Sequence, residues 1–142
     1  MTQENTNIQA VDSLSANEFR VEIDGEIVTG IFGVQGLRIR SVDMSAGRLV
    51  HHPLTITKMV QQDAEQPFNR WTRETLAKPT EKVTREIAVV AIDEGVETRR
   101  WVYENAWISE IAFSDFNTGS TELIEERLVI QHSGVEEIWP QR

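Results

Sequence analysis

The 142-residue chain contains no cysteine. Disulfide frameworks, thiolate zinc sites and thiol nucleophiles are therefore excluded, while the redox compartment stays open. No apolar run approaches the ~18 residues of a membrane-spanning helix. Positive charge is scarce: 14 Lys and Arg stand against 23 Asp and Glu, a net charge of −9. A surface of that sign grips phosphate backbones and anionic membranes poorly. Residues 1–17 have neither a basic start nor an apolar block, so no secretory signal is expected there.

Catalytic vocabulary is equally thin. The 3 histidines are His51, His52 and His132. Neighbouring histidines on an extended chain point to opposite faces, so no metal site is expected. Gly33-Val34-Gln35-Gly36 lacks the lysine and the strand-to-helix setting of a phosphate loop. No serine lies in a Gly-x-Ser-x-Gly elbow. Glu125-Glu126 and Glu136-Glu137 alternate across strand faces and cannot act as pairs on one substrate. No catalytic residue, cofactor or metal is expected, and the motifs point to a non-enzyme.

What is present suits one domain of roughly 100–200 residues. Hydrophobic residues make up 39%, enough for a single core. Residues 1–17 are polar and predict a flexible arm; residues 18–142 predict a single β domain. From Phe19 to Val28, Phe19, Val21, Ile23 and Ile27 share one parity and charged residues the other, a half-buried strand turning at Asp24-Gly25. Extended chain continues to Val42, with glycines that mark bulges or close backbone approach. Asp43 to His52 has turn residues and no period, which predicts a loop, and Leu54 to Val60 predicts a strand.

A helix is predicted from Asp63 to Leu76, with Asp63 and Gln66 resembling a capping box and Pro67 in the first turn. Phe68, Trp71 and Thr72 fall on its apolar side, with Leu76 beside them. Strands resume from Glu81 to Ile92, turn at Asp93-Glu94-Gly95, and run from Thr98 to Phe113. There Trp101, Tyr103, Trp107, Ile111 and Phe113 share a parity. With Phe19 and Trp71, the residues Trp101, Tyr103 and Trp107 are the predicted core aromatics. Two further strands, Glu122–His132 and Val135–Trp139, close a mainly β sandwich or barrel with one packed α-helix.

Three segments together resemble the tail tube family: the inner tubes of contractile phage tails, of extracellular contractile injection systems and of type VI secretion. Phe19-x-Val21-x-Ile23-Asp24-Gly25 followed by Val34-x-Gly36-Leu37 resembles the family's opening strands and "SGL" turn. Trp101-x-Tyr103-x-Asn105-Ala106-Trp107 resembles its "W-x-x-x-NAW" strand. Leu128-Val129-Ile130-Gln131-His132-Ser133-Gly134 resembles its closing "L-x-x-x-H-x-G". The stretch after the "SGL" turn is short, and His52-Pro53-Leu54-Thr55-Ile56-Thr57-Lys58 is more similar to the secretion-tube version.

The resemblance implies hexameric rings that stack into a hollow tube, their strands joining into one barrel around the lumen. It implies sheath and baseplate partners, and DNA or effector protein passing through the lumen without specific binding. No membrane insertion of the isolated subunit is expected. Assembly would occur in the bacterial cytoplasm, followed by residence in a virion tail or injection particle. Arg38, Arg40, Thr55 and Thr57 are the lumen candidates. Asp43, Met44, Arg48, Leu49, Val50, His51 and His52 are the candidate ring-stacking residues, because an apolar-tipped loop at a barrel rim suits docking. The alternative is a monomeric ligand- or carbohydrate-binding β-sandwich with Trp101, Tyr103 and Trp107 as its platform; burial or exposure of Trp107 discriminates the two.

Overall fold

The computed structural model describes residues 18–37, 41–116, 118–119 and 124–140. Among them the order is β1 (Phe19–Ile23), β2 (Glu26–Val28), β3 (Ile31–Gln35), β4 (Ser41–Asp43), β5 (Arg48–Val50), β6 (Leu54–Met59), α1 (Pro67–Ala77), β7 (Arg85–Asp93), β8 (Val96–Phe113), β9 (Glu125–Gln131) and β10 (Gly134–Ile138). The predicted arm, 1–17, lies outside the described residues, as do Arg38 and Arg40.

One strand organises the sheet. The 18-residue β8 pairs with β7 along its first part, up to Ala106, and with β9 from Trp107 onward. Strand β10 lies against Arg100–Glu104 of β8. The first half of the sheet is thus β2-β1-β7-β8 with β10, and the second is β8-β9-β6-β3, antiparallel throughout. Residues of both halves meet in one core: Val21, Ile87 and Tyr103 from the first, Ile56, Leu128 and Ile130 from the second. Helix α1 adds Phe68 and Trp71 to the same core.

Local chemistry sets the connections. Asp24-Gly25 and Glu94-Gly95 both have positive φ at both positions (49° and 83°, 49° and 78°), the two-residue turn whose twist matches a hairpin. A two-residue turn pairs Val21 with Val28 and Glu22 with Ile27. Val28 therefore enters the core and Ile27 is exposed, against the shared parity expected of Ile27. Gly36 has φ 94°, and a Cβ there would lie 2.4 Å from the Pro53 carbonyl oxygen, so only glycine fits where β3 ends beside β6.

Helix α1 begins at Pro67 rather than at Asp63. The Asp63 carboxylate instead accepts the Glu65 N–H at 2.9 Å in a turn of its own. Proline starts the helix because its fixed φ is already helical and its missing N–H would have had no partner. Trp71 stacks on Phe68 and donates from Nε1 to the Val83 carbonyl at 2.7 Å. Leu76, placed beside the apolar side by the sequence pattern, is exposed.

The single parity expected along β8 does not survive in the structure. Asn105 has φ 50°, and the pairing with β7 jumps between Tyr103 and Ala106. A second irregularity falls between Ile108 and Glu110. Each extra residue turns the following side chains to the opposite face. Trp101 and Tyr103 pack on the core, then Ala106 and Ile108, then Ile111. Trp107 consequently lies on the outer face, half-buried, with the Lys82 ammonium 4.9 Å from its ring centre. This corrects its placement among the core aromatics. Phe113 has regained the parity of the core-packed Ile111 after the second irregularity, and it is exposed as the last residue of β8, at the rim of the sheet. Phe19 and Trp101 are partly buried against the core, while Trp71 and Tyr103 are buried within it.

Candidate functional site

Among the described residues, no three His, Asp or Glu side chains converge as a metal would need. The three histidines do meet, but as a structural root. His132 donates from Nε2 to the His52 carbonyl at 2.8 Å, and His52 Nε2 lies 3.0 Å from the Ser41 hydroxyl. The His132 ring stands edge-on to Tyr103 (4.7 Å) and to His51 (5.6 Å). Together they border a cleft that Gly36, Leu49 and Val50 also line.

Burial pushes the His132 imidazole below its ordinary pKa, and the nearby His51 adds to the effect. The sign follows: a histidine held neutral in the folded state costs nothing above an unfolded pKa of about 6.5, and stability falls as pH drops below it. Thermal unfolding is expected to show a lower midpoint at about pH 5.5 than at about pH 7.5. His132→Gln should flatten that dependence, and an unchanged slope in the variant would remove His132 as its source.

Above this root stands a hairpin where the sequence pattern predicts a loop. Strands β4 and β5 pair Ser41 with Val50 and Asp43 with Arg48. Asp43 shapes the turn: its carboxylate accepts from the Ser45 N–H (3.1 Å), the Ser45 hydroxyl (2.6 Å) and the Ala46 N–H (3.2 Å). These bonds hold the Asp43 carboxyl below its usual range, the Ser45 hydroxyl contributing most. Short local bonds of this kind replace the apolar period that longer strands rely on. Met44 is 83% exposed, and Val42, Leu49 and Arg48 are exposed too. His52 is partly covered at the root, so of the candidate stacking residues it sits away from the tip.

The second half of the sheet has one outer face and two open edges. Thr55 and Thr57 face outward between the buried Leu54, Ile56 and Lys58. From β9, Val129 stands opposite Thr55 and the exposed Arg127 opposite Thr57, and Gln131 pairs with Trp107 of β8. Gln131 donates to the Ser109 hydroxyl, which donates to the Val129 carbonyl, both at 3.2 Å. Among the described residues, β3 has no neighbour beyond β6, and residues 107–113 of β8 have none beyond β9. The aromatic platform of the alternative reading is not assembled, since Tyr103 is buried and Trp107 is turned to the other face.

The structure adds two charged constellations to those read from the sequence. Lys58 and Glu126 form an ion pair at 2.9 Å with Lys58 fully buried. The signal was available: Lys58 shares the parity of Leu54 and Ile56, and Glu126 that of Leu128 and Ile130. On the outer face of the first half, Arg100 donates to Glu22 and Glu97, each at 2.8 Å, and Arg20 donates to Glu22 at 2.8 Å. Arg100 holds both carboxyls below their usual range and is itself raised by them.

Residues 15–136 match the model of a family described as T4-like virus tail tube protein gp19. No curated protein matches the chain. Among solved structures, it resembles a chain of the extracellular contractile injection system PVC sheath–tube complex in its extended state, at TM-score 0.71 and 15% identity, covering 95% of this chain and 98% of that one. A chain of the anti-feeding prophage baseplate is similar at TM-score 0.67 and 11% identity, covering 90% and 97%. Hcp1 from Flavobacterium johnsoniae is similar at TM-score 0.57 and 12% identity, covering 84% and 94%.

Proposed function

Because this chain belongs to the T4-like virus tail tube protein family, we propose that six copies close into a ring and that rings stack into a tube conducting DNA or effector protein. The observation that carries this is the pair of open edges on the four-strand half β8-β9-β6-β3. Its strands alternate in direction, so β8 and β3 run oppositely. The open β8 edge of one copy would meet the β3 edge of the next in another antiparallel pair. Four strands per subunit keep that alternation around any closed ring; six subunits contribute 6 × 4 = 24 strands. A barrel of that size encloses a water-filled channel, and closure removes the edges that invite aggregation.

The outer face bearing Thr55, Thr57, Ser109 and Gln131 would then line the lumen. Short hydroxyls, with Gln131 bonded to Ser109, offer little to passing cargo, and Arg127 opposite Thr57 is the charge on that stretch of β9. The net charge of −9 favours passage of nucleic acid or acidic protein without adhesion. The role is structural and not catalytic. The similar chains come from a sheath–tube complex and a baseplate, which supports sheath and baseplate as partners. Assembly would take place in the bacterial cytoplasm before incorporation in a virion tail or injection particle. The β4–β5 hairpin would carry the contact with the next ring.

Sedimentation and negative-stain microscopy should find six-subunit rings; monomer alone at high concentration overturns the proposal. The lumen assignment has its own check, since a Thr57→Cys variant holds a single thiol in a chain that otherwise has none. A bulky maleimide should modify it more slowly in tubes than on dispersed rings. Equal rates would remove Thr57 from the channel wall.

A further inference from the structure

The β4–β5 hairpin is joined to the body of the subunit through histidines. Its two strands pair with each other and, among the described residues, with no strand of the eight-stranded sheet. At its root the His132 ring donates from Nε2 to the His52 carbonyl at 2.8 Å. His52 Nε2 lies 3.0 Å from the Ser41 hydroxyl, which ties the two chain ends of the hairpin together. The His51 ring stands edge-on to His132 at 5.6 Å, and His132 stands edge-on to Tyr103 at 4.7 Å. With Nε2 donating to a carbonyl, the neutral His132 ring has its free lone pair on Nδ1. That nitrogen is buried and, among the described residues, has no hydrogen-bond partner.

Among the described residues, no carboxylate lines the cleft at this root. Its ionisable groups are His51, His52, His132 and the Tyr103 phenol. Charges on the surrounding elements lie elsewhere. Asp43 and Arg48 face each other at the hairpin tip. Glu137 of β10 accepts from Trp101 Nε1 and pairs with Arg99. Glu104 of β8 and Glu136 of β10 are exposed and do not line the cleft. The adjoining ends of β3, β6 and β9 are Gln35, Leu54 and Gln131, which carry no charge. Arg38 and Arg40, between Leu37 and Ser41 in the chain, lie outside the described residues. A proton added to His132 must therefore enter at the buried Nδ1. The His52 and Gly134 carbonyls favour the charged ring, but burial outweighs them, and His51 adds to the effect.

We propose that acid releases the β4–β5 hairpin from the subunit while the eight-stranded sheet stays folded, with His132 as the trigger and His51 as its amplifier. A protonated His132 ring regains water only by leaving the cleft. Leaving breaks its bond to the His52 carbonyl and both edge contacts, and with them the polar tie between the hairpin root and the end of β9. A second charge on His51 sets like charges side by side and pushes the same way. The release is a property of the single subunit and holds whatever the hairpin touches. Where the hairpin meets the next ring, acid would part the rings without unfolding them; this consequence alone rests on the ring-and-tube function proposed above.

Hydrogen exchange of the full-length protein, read by mass spectrometry at about pH 7.5 and about pH 5.5, tests the release. Labelling times are scaled for the pH dependence of the chemical step. A histidine held neutral when docked, and titrating near its ordinary value of about 6.5 when free, raises the open population about tenfold over that interval. Protection of residues 41–50 should fall by about that factor, while residues 54–59 and 85–93 keep theirs. His132→Gln retains a donor for the His52 carbonyl and cannot be charged, so its hairpin should be equally protected at both pH values. His51→Gln, a change at an exposed position, should reduce the response without abolishing it, and it keeps the test decisive should the His132 variant fail to fold. Equal protection of residues 41–50 at both pH values in the wild type would overturn the proposal. So would a loss spread evenly over the sheet, or an undiminished loss in the variants. Tubes that keep their length in acid while residues 41–50 exchange freely would uphold the release and remove the hairpin from the ring contact.

Discussion

Lys58→Met is expected to destabilise the subunit by about 3–5 kcal/mol, a fall in midpoint temperature of roughly 10–15 °C for a domain of this size. The lysine is fully buried, its Nζ donating to Glu126 at 2.9 Å and to the Met59 carbonyl at 2.8 Å. Removing it strands the Glu126 carboxylate in the core without a counter-charge, and desolvation of that anion is the dominant cost. Glu126→Leu should be harmful for the mirror reason. The double variant Lys58→Met/Glu126→Leu should recover most of the loss, because an apolar pair of similar volume removes both desolvation penalties. Urea unfolding of the four proteins measures the cycle. Single variants within about 1 kcal/mol of wild type would show the pair to be hydrated rather than buried. The pair also marks strand register: Lys58 faces Glu126 directly, and a slip of one residue would set it against Glu125 or Arg127, which belong to the other face.

Trp71→Ala should cost about 3–5 kcal/mol, whereas Trp107→Ala should cost about 1–2 kcal/mol. Both are tryptophans near a helix or strand core, and composition does not separate them. Trp71 is 1% exposed, stacked on Phe68 and bonded through Nε1 to the Val83 carbonyl. Its removal leaves a cavity between helix and sheet and an unpaired carbonyl. Trp107 is only partly buried, on the outer face with the Lys82 ammonium 4.9 Å from its ring centre, so truncation opens no cavity in the core. Chemical denaturation of the two variants, with near-ultraviolet circular dichroism to confirm a folded ground state, tests the contrast. Equal losses would mean that Trp107 packs as deeply as Trp71 and that the face assignment after Asn105 is wrong.

Much of the fold is legible along the chain. Asp24-Gly25 and Glu94-Gly95 read as hairpin turns because few residue pairs tolerate two positive φ values in succession. Strand existence follows from alternation, and the helix from Phe68, Trp71 and Thr72 at helical spacing. Legibility fails where one residue changes what its neighbours face. Asn105 interrupts the ladder and reverses the face of Trp107; asparagine tolerates the positive φ this needs, but its presence in a strand pattern does not by itself place an extra residue there. The β4–β5 hairpin is invisible to periodicity because three-residue strands hold no period, and it is tied instead by Asp43 and by His52 with Ser41.

The amino-acid sequence by itself determined composition, the absence of thiol chemistry, the mainly β architecture and its single helix. Those depend on residue type and on neighbours within a few positions. The tertiary structure alone decided which strands are left open, that Lys58 and Glu126 meet inside the core, and that His51, His52 and His132 gather at the root of the hairpin. These depend on pairings between residues far apart in the chain, such as β6 with β9, which no local preference encodes. The energy of such contacts is gained only after the intervening chain has closed, so they appear in the packed molecule and not in any window of its sequence.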